Sequence, residues 1–256
     1  MSDRVLRLEG VHNFRKFGSY ALANGGSVRD GLYRSGQFSR ATPADLEAMD
    51  GLSIRLVADL RRPREREAEP SHWPQRPGVT VLASDHGGAA EPPHMVFLRE
   101  SDLSAASIRG FMTETYRRLP FDPGNQWVFA SGLRQLADSR PEDGFIVHCA
   151  AGKDRTGLFC ALLLTAIGVD EEAVREDYLM TNTAVDYDRL VPAVRKRLEE
   201  TLGKTADDAA LRAFLGVDAA YYDAAMETIG DQPAYLRDAL GLEDDVIGRL
   251  RENLTG

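Results

Sequence analysis

The residues best suited to chemistry lie between His148 and Gly157, in the sequence His-Cys-Ala-Ala-Gly-Lys-Asp-Arg-Thr-Gly. Within this run Cys149 stands six residues before Arg155, and small residues fill much of the interval. A thiol beside a cation at the start of a helix has a lowered pKa and is a nucleophile. An arginine side chain can bind two oxygens of a phosphoryl group through its planar fork. The spacing therefore predicts a phosphate-binding loop that carries its own nucleophile.

The other residues of the loop fit a phosphate site. Gly152 allows a tight turn and a close approach of backbone N–H groups to an anion. We expect the Thr156 hydroxyl to donate to the Cys149 sulfur when that sulfur leaves as a thiolate. The predicted phosphate contacts are Ala150, Ala151, Gly152, Lys153, Asp154, Arg155 and Thr156. A nucleotide-binding Walker loop is excluded, because Lys153 is followed by Asp154 rather than by Ser or Thr.

The flanking sequence predicts how this loop is held. The apolar run 145–147 indicates a buried strand before the cysteine, and the apolar run 158–164 indicates a buried helix that ends near Gly168. A strand, a loop and a helix in this order bring free backbone N–H groups and the positive end of a helix dipole to the loop.

The whole chain is predicted to be a single α/β domain over residues 1–256. Short apolar runs at 54–60 and 79–82 predict further strands, and helical patterns separate them. This alternation is typical of a central, mostly parallel sheet flanked by helices. Beyond the loop helix, amphipathic segments predict a helical C-terminal block over 170–256, packed on the core.

The segment 85–118 is predicted to be a lid-like insertion. Its first part, 85–101, contains glycines, prolines and a short apolar run, which together indicate a loop. A helix is predicted to follow over 102–119. A cover formed by this segment would control access to the loop of Cys149.

The motif His-Cys-x-Ala-Gly-Lys-Asp-Arg-Thr-Gly resembles the signature of bacterial tyrosine and lipid phosphatases. This family, typified by secreted mycobacterial and listerial enzymes, is part of the cysteine-dependent protein tyrosine phosphatase superfamily. The resemblance continues in chain order through Asn13-Phe14-Arg15, Leu32-Tyr33-Arg34-Ser35, Val57-Ala58-Asp59-Leu60-Arg61, Asp177-Tyr178-Leu179 and Tyr235-Leu236-Arg237. It implies a cysteine-phosphatase fold and activity on phosphotyrosine, with phosphoserine, phosphothreonine and phosphoinositides as further substrates.

We therefore expect a phosphomonoester hydrolase in which Cys149 attacks phosphorus and water cleaves the phosphocysteine. The expected partners are phosphorylated proteins or phosphoinositides, and the scheme uses no metal and no cofactor. One alternative is a phosphatase acting mainly on phosphoinositides or inositol phosphates. Another is a catalytically silent phosphate-binding protein, and a third is a thiol-redox enzyme with Cys160 as the resolving cysteine.

The leaving oxygen needs a proton, so the reaction requires a general acid. We favour Asp85, which follows the strand predicted over 79–82 and precedes two glycines, where the resemblance also implies an acid. Asp154 is an alternative, because it lies within the loop and could also position water. Asp59 is a further alternative, although pairing with Arg61 or Arg64 is the preferred interpretation for it.

Three other features have both a functional and a structural interpretation. Lys153 is either a second phosphate-binding cation or a solvent-facing side chain. For His148 we favour hydrogen bonding to backbone carbonyl groups over support of the thiolate. The mixed-charge run 61–67 is more typical of a solvated helix than of a binding surface.

Composition narrows the class of protein. A net charge of −9 argues against nucleic-acid binding, and two cysteines give no disulfide framework. The first seven residues lack the apolar stretch of a secretory signal, and no apolar run is long enough to span a membrane. We expect a cytoplasmic enzyme, with leaderless secretion as the alternative that the family resemblance implies.

Overall fold

The computed structural model of the chain describes residues 4–72, 77–87 and 92–256. Within these residues a five-stranded sheet has the order β1-β2-β5-β3-β4. Its strands are β1 (Arg15–Lys16), β2 (Leu32–Ser35), β3 (Ile54–Asp59), β4 (Thr80–Ala83) and β5 (Gly144–His148). Only the pairing of β1 with β2 is antiparallel, and the other three pairings are parallel. The predicted mostly parallel sheet is therefore confirmed.

Helices account for most of the remaining described chain. Between the strands lie α1 (Pro43–Asp50), α2 (Pro63–Ala68), α3 (Pro93–Glu100), α4 (Ala105–Arg118) and α5 (Pro123–Ala137). After β5 come α6 (Asp154–Ala166), α7 (Glu171–Leu179), α8 (Thr181–Ala184), α9 (Tyr187–Leu202), α10 (Asp208–Leu215), α11 (Ala219–Ile229), α12 (Gln232–Ala234) and α13 (Asp244–Leu254).

Both faces of the sheet are buried, and β5 shows this residue by residue. Phe145 and Val147 pack into the large core with residues of α5 and α6. Ile146, on the opposite face, packs into a smaller core that includes Met49 of α1. Alternation of side chains between two covered faces requires a continuous apolar run, which is why 145–147 predicted a buried strand.

The parallel strands direct their carboxyl ends to one edge of the sheet. β5 lies between β2 and β3, with Ser35 and Asp59 both in register with His148. The segments that follow β2, β3, β4 and β5 therefore begin at the same edge. This is the edge at which α/β sheets bind ligands.

The structure differs from the sequence expectation in the proposed lid and in the C-terminal block. The run 85–101, predicted as a loop, contains the helix α3; residues 88–91 of the proposed lid lie outside the described residues. Within the predicted helical C-terminal block, α12 is only three residues long and is followed by a π-helical turn over Tyr235–Ala239. The sequence did not predict β1, β2 or α10, whose short lengths give little periodicity to detect.

Candidate active site

The loop that follows β5 places Cys149 at the sheet edge and ends where α6 begins at Asp154. The predicted strand, loop and helix are thus present in the expected order. Cys149 is only 2% exposed, and it lies among the residues of the large core. The first backbone N–H groups of a helix have no intrahelical partner and can bind an anion, and α6 begins where this loop ends.

Gly152 is required by the shape of the loop. Its φ angle is +69°, in the left-handed region that favours glycine. A Cβ atom at this position would lie 2.3 Å from the carbonyl carbon and oxygen of Ser35, at the end of β2. Any larger residue would therefore push the loop away from β2 and change the direction of its N–H groups.

Carbonyl groups of the loop are held by donors on its outer side. The Asn13 Nδ2 atom donates to Gly152 O at 2.8 Å, and an Nη2 atom of Arg34 donates to the same oxygen at 3.3 Å. The backbone N–H of Gln37 donates to Ala150 O at 3.1 Å. Because these carbonyls point outward, the intervening N–H groups are left for an anion at the centre of the loop.

A buried charge cluster supports these donors. Arg15 and Arg34 are both fully buried, and Asp177 of α7 is 1% exposed. Arg34 Nη1 donates to Asp177 Oδ2 at 2.6 Å, while Tyr20 donates its hydroxyl to Asp177 Oδ1 at 3.1 Å. Arg15 donates to the Asp177 backbone carbonyl and to the Asn13 side chain. Arg15, Arg34 and Asp177, from three separate stretches of the sequence, thus form one cluster behind the loop.

Arg155 is oriented by Glu65 of α2. Its Nη1 atom donates to Leu60 O at 2.8 Å and to Glu65 Oε2 at 2.6 Å, and its Nη2 atom donates to Glu65 Oε1 at 2.8 Å. A guanidinium has five N–H groups, so these contacts leave the Nε–H and one Nη2–H. Those two groups form the side edge of the fork, which can bind two phosphoryl oxygens. Burial would raise the pKa of Glu65, but the Arg155 charge and hydrogen bonds lower it to about 2.

Glu65 was not predicted, because the run 61–67 was interpreted as a solvated helix. That interpretation is wrong for Arg61, which is 2% exposed, and for Glu65, which faces Arg155. Arg61 forms a bidentate contact with Asp59, as preferred for that carboxylate. The charged composition of the run hid this role, since alternating charges are equally typical of a solvent-exposed face.

Asp85 lies on the loop after β4 and is largely exposed. Its side chain is 96% exposed and accepts a 2.8 Å hydrogen bond from Arg66 of α2. Arg66 also donates to the backbone carbonyls of Arg61 and Ser84, so it fixes the base of the Asp85 loop. Asp85 is thereby anchored to the same helix that holds Arg155.

Asp154 has several partners at the start of α6. Tyr116 of α4 donates its hydroxyl to Asp154 Oδ1 at 2.7 Å, and Tyr178 of α7 donates in turn to Tyr116 at 2.9 Å. The Lys153 ammonium lies 3.1 Å from the same Asp154 oxygen and donates to Gly216 O at 3.1 Å. Lys153 is 7% exposed, so the solvent-facing interpretation of this lysine is wrong.

His148 and Thr156 are both fully buried beside Cys149. The His148 ring packs edge-on against Phe38, and its Nδ1 atom lies 3.4 Å from Cys149 O, in keeping with the favoured structural role. Burial is the main cause that lowers the pKa of His148, while Asp59 opposes the shift. The Thr156 hydroxyl has no hydrogen-bond partner among the described residues.

Cys160 lies within α6, is fully buried and is not disulfide-bonded. Burial raises the pKa of its thiol to about 12. Since a resolving cysteine must reach and attack its partner as a thiolate, this environment disfavours the redox alternative.

Across residues 4–72, 77–87 and 92–256, no group of three or more His, Cys, Asp and Glu side chains has the arrangement of a metal site. In the same ranges, no helix has the length and apolar character to cross a membrane.

Comparison with known proteins supports the resemblance noted in the sequence. A family model described as the tyrosine phosphatase family matches residues 6–256. The triple specificity protein phosphatase PtpB of Mycobacterium tuberculosis is 34% identical, over 98% of this chain and 99% of its own. A protein of Cupriavidus necator that bears a tyrosine-protein phosphatase name is 33% identical, over 93% of this chain and 85% of its own. This chain belongs to the tyrosine phosphatase family.

Proposed function

We propose that this protein hydrolyses phosphotyrosine in proteins through a phosphocysteine intermediate. The observation that carries the proposal is the orientation of Arg155 by Glu65, at the end of a loop whose carbonyls are held outward. In this proposal, the unused guanidinium edge of Arg155 and the backbone N–H groups of the loop bind a phosphoryl group beside Cys149. A phosphoryl group at that point would be bound through its oxygens and aligned for attack.

In the first step the Cys149 sulfur forms a bond to phosphorus while the bond from phosphorus to the tyrosine oxygen breaks. Arg155 and the loop amides stabilise the charge on the equatorial oxygens. In the second step water gives a proton to the carboxylate of Asp85 or Asp154 and attacks the phosphocysteine, the bond from phosphorus to sulfur breaks, and the thiolate and inorganic phosphate are released. The buried Thr156 hydroxyl, which has no partner among the described residues, is available to donate to that thiolate.

Asp85 is the proposed general acid. Among the described residues, its side chain forms an ion pair with Arg66. Because Asp85 is exposed in this pair, a bound substrate can displace Arg66. Asp154 already accepts from Tyr116 and contacts Lys153, an arrangement that suits the positioning of water in the second step. Asp59 is committed to Arg61 and is not proposed to act as the acid.

Phosphotyrosine is proposed as the main substrate because Lys153 already has partners. Its ammonium contacts Asp154 and Gly216 O and lies 5.9 Å from the centre of the Phe214 ring. Binding the extra phosphate of a phosphoinositide would require Lys153 to leave these contacts. Phosphoserine, phosphothreonine and phosphoinositides are therefore proposed as secondary substrates. The mycobacterial relative is named a triple specificity protein phosphatase, which supports activity on more than one class of phosphorylated residue.

The first test is phosphate release from a phosphotyrosine peptide by the wild type and by Cys149→Ser. We expect release by the wild type and none above background by the variant, which should still bind phosphate because Arg155 and the loop remain. Phosphoserine and phosphothreonine peptides and phosphoinositide vesicles complete the substrate set. Full turnover by purified Cys149→Ser would contradict the mechanism, and a wild type that binds phosphate without turnover would identify a silent phosphate-binding protein.

A further inference from the structure

Two buried tyrosines form a hydrogen-bonded chain that ends at Asp154, the first residue of α6. Tyr178, from the motif at 177–179, donates its hydroxyl to the Tyr116 hydroxyl at 2.9 Å, and Tyr116 donates its own to Asp154 Oδ1 at 2.7 Å. The other acceptor near the Tyr178 hydroxyl, Asp218 O, is farther away at 3.4 Å. Both tyrosines are only 1% exposed. Since each phenol has one proton, the chain runs toward the carboxylate.

The packing of the aromatic rings fixes these hydroxyl groups. A Cβ atom at Gly157 would lie 3.0 Å from the Tyr178 Cδ2 atom, so the glycine that ends the motif at 148–157 leaves room for this ring. The Tyr178 and Tyr116 rings meet edge-on with centres 6.1 Å apart, and the centre of the Tyr221 ring of α11 lies 5.6 Å from that of Tyr116. Neither hydroxyl can therefore move without a change in the packing of α4, α7 and α11.

Tyr116 remains a hydrogen-bond donor across the usual pH range. Burial, followed by the charge of Asp154, raises the pKa of Tyr116 well above its usual value. Because the Tyr116 phenol keeps its proton and its oxygen accepts from Tyr178, that proton is directed at Asp154 Oδ1.

The chain holds one oxygen of Asp154 and leaves the other for a water. The Lys153 ammonium also lies 3.1 Å from Oδ1. Among the described residues, no donor forms a hydrogen bond with Oδ2, and the Asp154 side chain is 22% exposed. Burial lowers the pKa of Arg155, whereas the charges of Glu65 and, less strongly, Asp154 raise it above its usual value. The Asp154 carboxylate is therefore close enough to Arg155 to interact with its charge.

We infer that Tyr116 and Tyr178 are positioning residues for the second step of the proposed reaction, in which Asp154 is the base. A carboxylate held through Oδ1 turns little about its Cβ–Cγ bond, so Oδ2 keeps one orientation. In this step Oδ2 accepts a proton from water, the water oxygen bonds to phosphorus, the bond from phosphorus to the Cys149 sulfur breaks, and inorganic phosphate is released. The inference deepens the proposed function by naming what holds the base, and it rests on that function.

The test compares Tyr116→Phe with Tyr221→Phe on p-nitrophenyl phosphate. Both changes remove a hydroxyl from one aromatic cluster, but the Tyr221 hydroxyl donates to Ala213 O at 3.3 Å and is not part of the chain. For Tyr116→Phe we expect hydrolysis of the phosphocysteine to slow about tenfold, so the fraction of enzyme trapped as phosphocysteine by acid quenching during turnover rises. The kcat/KM value should stay within about twofold of the wild type, because it covers only the steps through the first bond cleavage. Tyr221→Phe should match the wild type in both measurements.

Two further variants test whether the effect passes through Asp154. Tyr178→Phe keeps the direct donor and should give a smaller change in the same direction. In an Asp154→Asn background, Tyr116→Phe should cause no further slowing, since the hydroxyl acts through that carboxylate. Additional slowing in this background would overturn the inference.

Unchanged rates in Tyr116→Phe would also overturn it, as would equal losses of kcat and kcat/KM or the same loss in Tyr221→Phe, which would indicate a structural role only. A loss of kcat/KM that is larger with phenyl phosphate than with p-nitrophenyl phosphate would place the hydroxyl in the first step and overturn the assignment to the second. Failure of the proposed function would be visible separately, because the wild type itself would then release no p-nitrophenol or form no phosphocysteine.

Discussion

At the scale of single residues, the proposed phosphate hydrolysis depends on the orientation of the Arg155 side chain. An arginine has several rotatable bonds, and a guanidinium that rotates freely would bind phosphate weakly and in many geometries. Glu65 and Leu60 hold its Nη1 atom and one side of its Nη2 atom before substrate arrives, which leaves the Nε–H and one Nη2–H for a phosphoryl group. Glu65 is therefore a positioning residue that acts through Arg155.

We predict that Glu65→Gln lowers kcat/KM by about 10- to 100-fold, because one oxygen acceptor for Arg155 is lost and the fork is displaced. Glu65→Ala should lose more, since both acceptors are removed. Glu67→Gln, at an exposed position of the same helix, is the control and should keep wild-type activity. Equal kcat/KM for the Glu65→Gln variant and the wild type would show that Arg155 needs no partner.

The lowered pKa of Glu65 also predicts a pH effect on stability. Its pKa falls from 4.5 to about 2 on folding, so this carboxylate stabilises the native state fully above about pH 4.5. As pH falls toward 2 the contribution is lost. The difference in unfolding free energy between the wild type and Glu65→Gln, measured by urea denaturation, should therefore shrink from pH 5 to pH 2.

Leaving-group dependence separates the two candidate acids. For Asp85→Asn we predict a fall in kcat of about 100-fold or more with phenyl phosphate, which needs protonation on leaving. The fall should be small with p-nitrophenyl phosphate, whose leaving group is already stable as an anion. Asp154→Asn, measured on the same pair, should affect both substrates similarly if it positions water. The reverse pattern would assign the acid to Asp154.

At the scale of elements, α3 lies beside the site that its segment was expected to cover. Burial is the main cause that lowers the pKa of His94 on α3. The charges of Arg155 and Arg62 lower this pKa further, whereas the charge of Glu65 raises it, so His94 lies close enough to these site residues to interact with their charges. Phe97 of α3 stacks on Phe111 of α4 with ring centres 4.2 Å apart. A lid role for this segment over Cys149, which is 2% exposed, stays a prediction.

We predict that vanadate slows tryptic cleavage after Arg99 at the end of α3, because a ligand on the loop favours the covered arrangement. The measurement is limited proteolysis with mass spectrometry of the fragments. Cys149→Ser is the control, since it lacks the sulfur that bonds vanadate and should show less protection. Identical cleavage rates with and without vanadate in the wild type would contradict a lid at 85–118.

At the scale of the whole molecule, the catalytic loop is tied to both halves of the chain. Asp177 on α7 joins Tyr20, Arg34 and Arg15 from the N-terminal part, and Arg34 also donates to the loop carbonyl of Gly152. Stability and activity are therefore coupled through one buried cluster. A change in this cluster should affect folding and the orientation of the loop together.

We predict that Asp177→Asn destabilises the protein by about 3 kcal/mol, because it leaves a buried arginine without its carboxylate. Asp223→Asn is the matched control: Asp223 forms a bidentate pair with Arg175 at an exposed position and should cost less than about 1 kcal/mol. Urea denaturation of both variants measures the difference. Equal stability of the two variants would show that the buried cluster is not structurally important.

The sequence alone predicted the strand and the helix on either side of the Cys149 loop, which the structure confirms, because these depend on local spacing and on an apolar run; the catalytic role of the loop stays a prediction. It also determined the family and the mostly parallel sheet, both of which are confirmed. The pairing of Asp59 with Arg61 was predictable for the same reason, since the two residues are close in sequence.

Only the tertiary structure decided which distant residues serve the loop. Glu65 and Arg155 are far apart in the chain, as are Tyr116 and Asp154, and nothing in local composition distinguishes such partners from solvated side chains. Lys153 became buried because α10 and the residue after it supply a ring and a carbonyl group. Contacts of this kind form only when distant elements pack together. They could not be predicted from the sequence because the pairing of distant residues produces no periodic pattern in a single sequence.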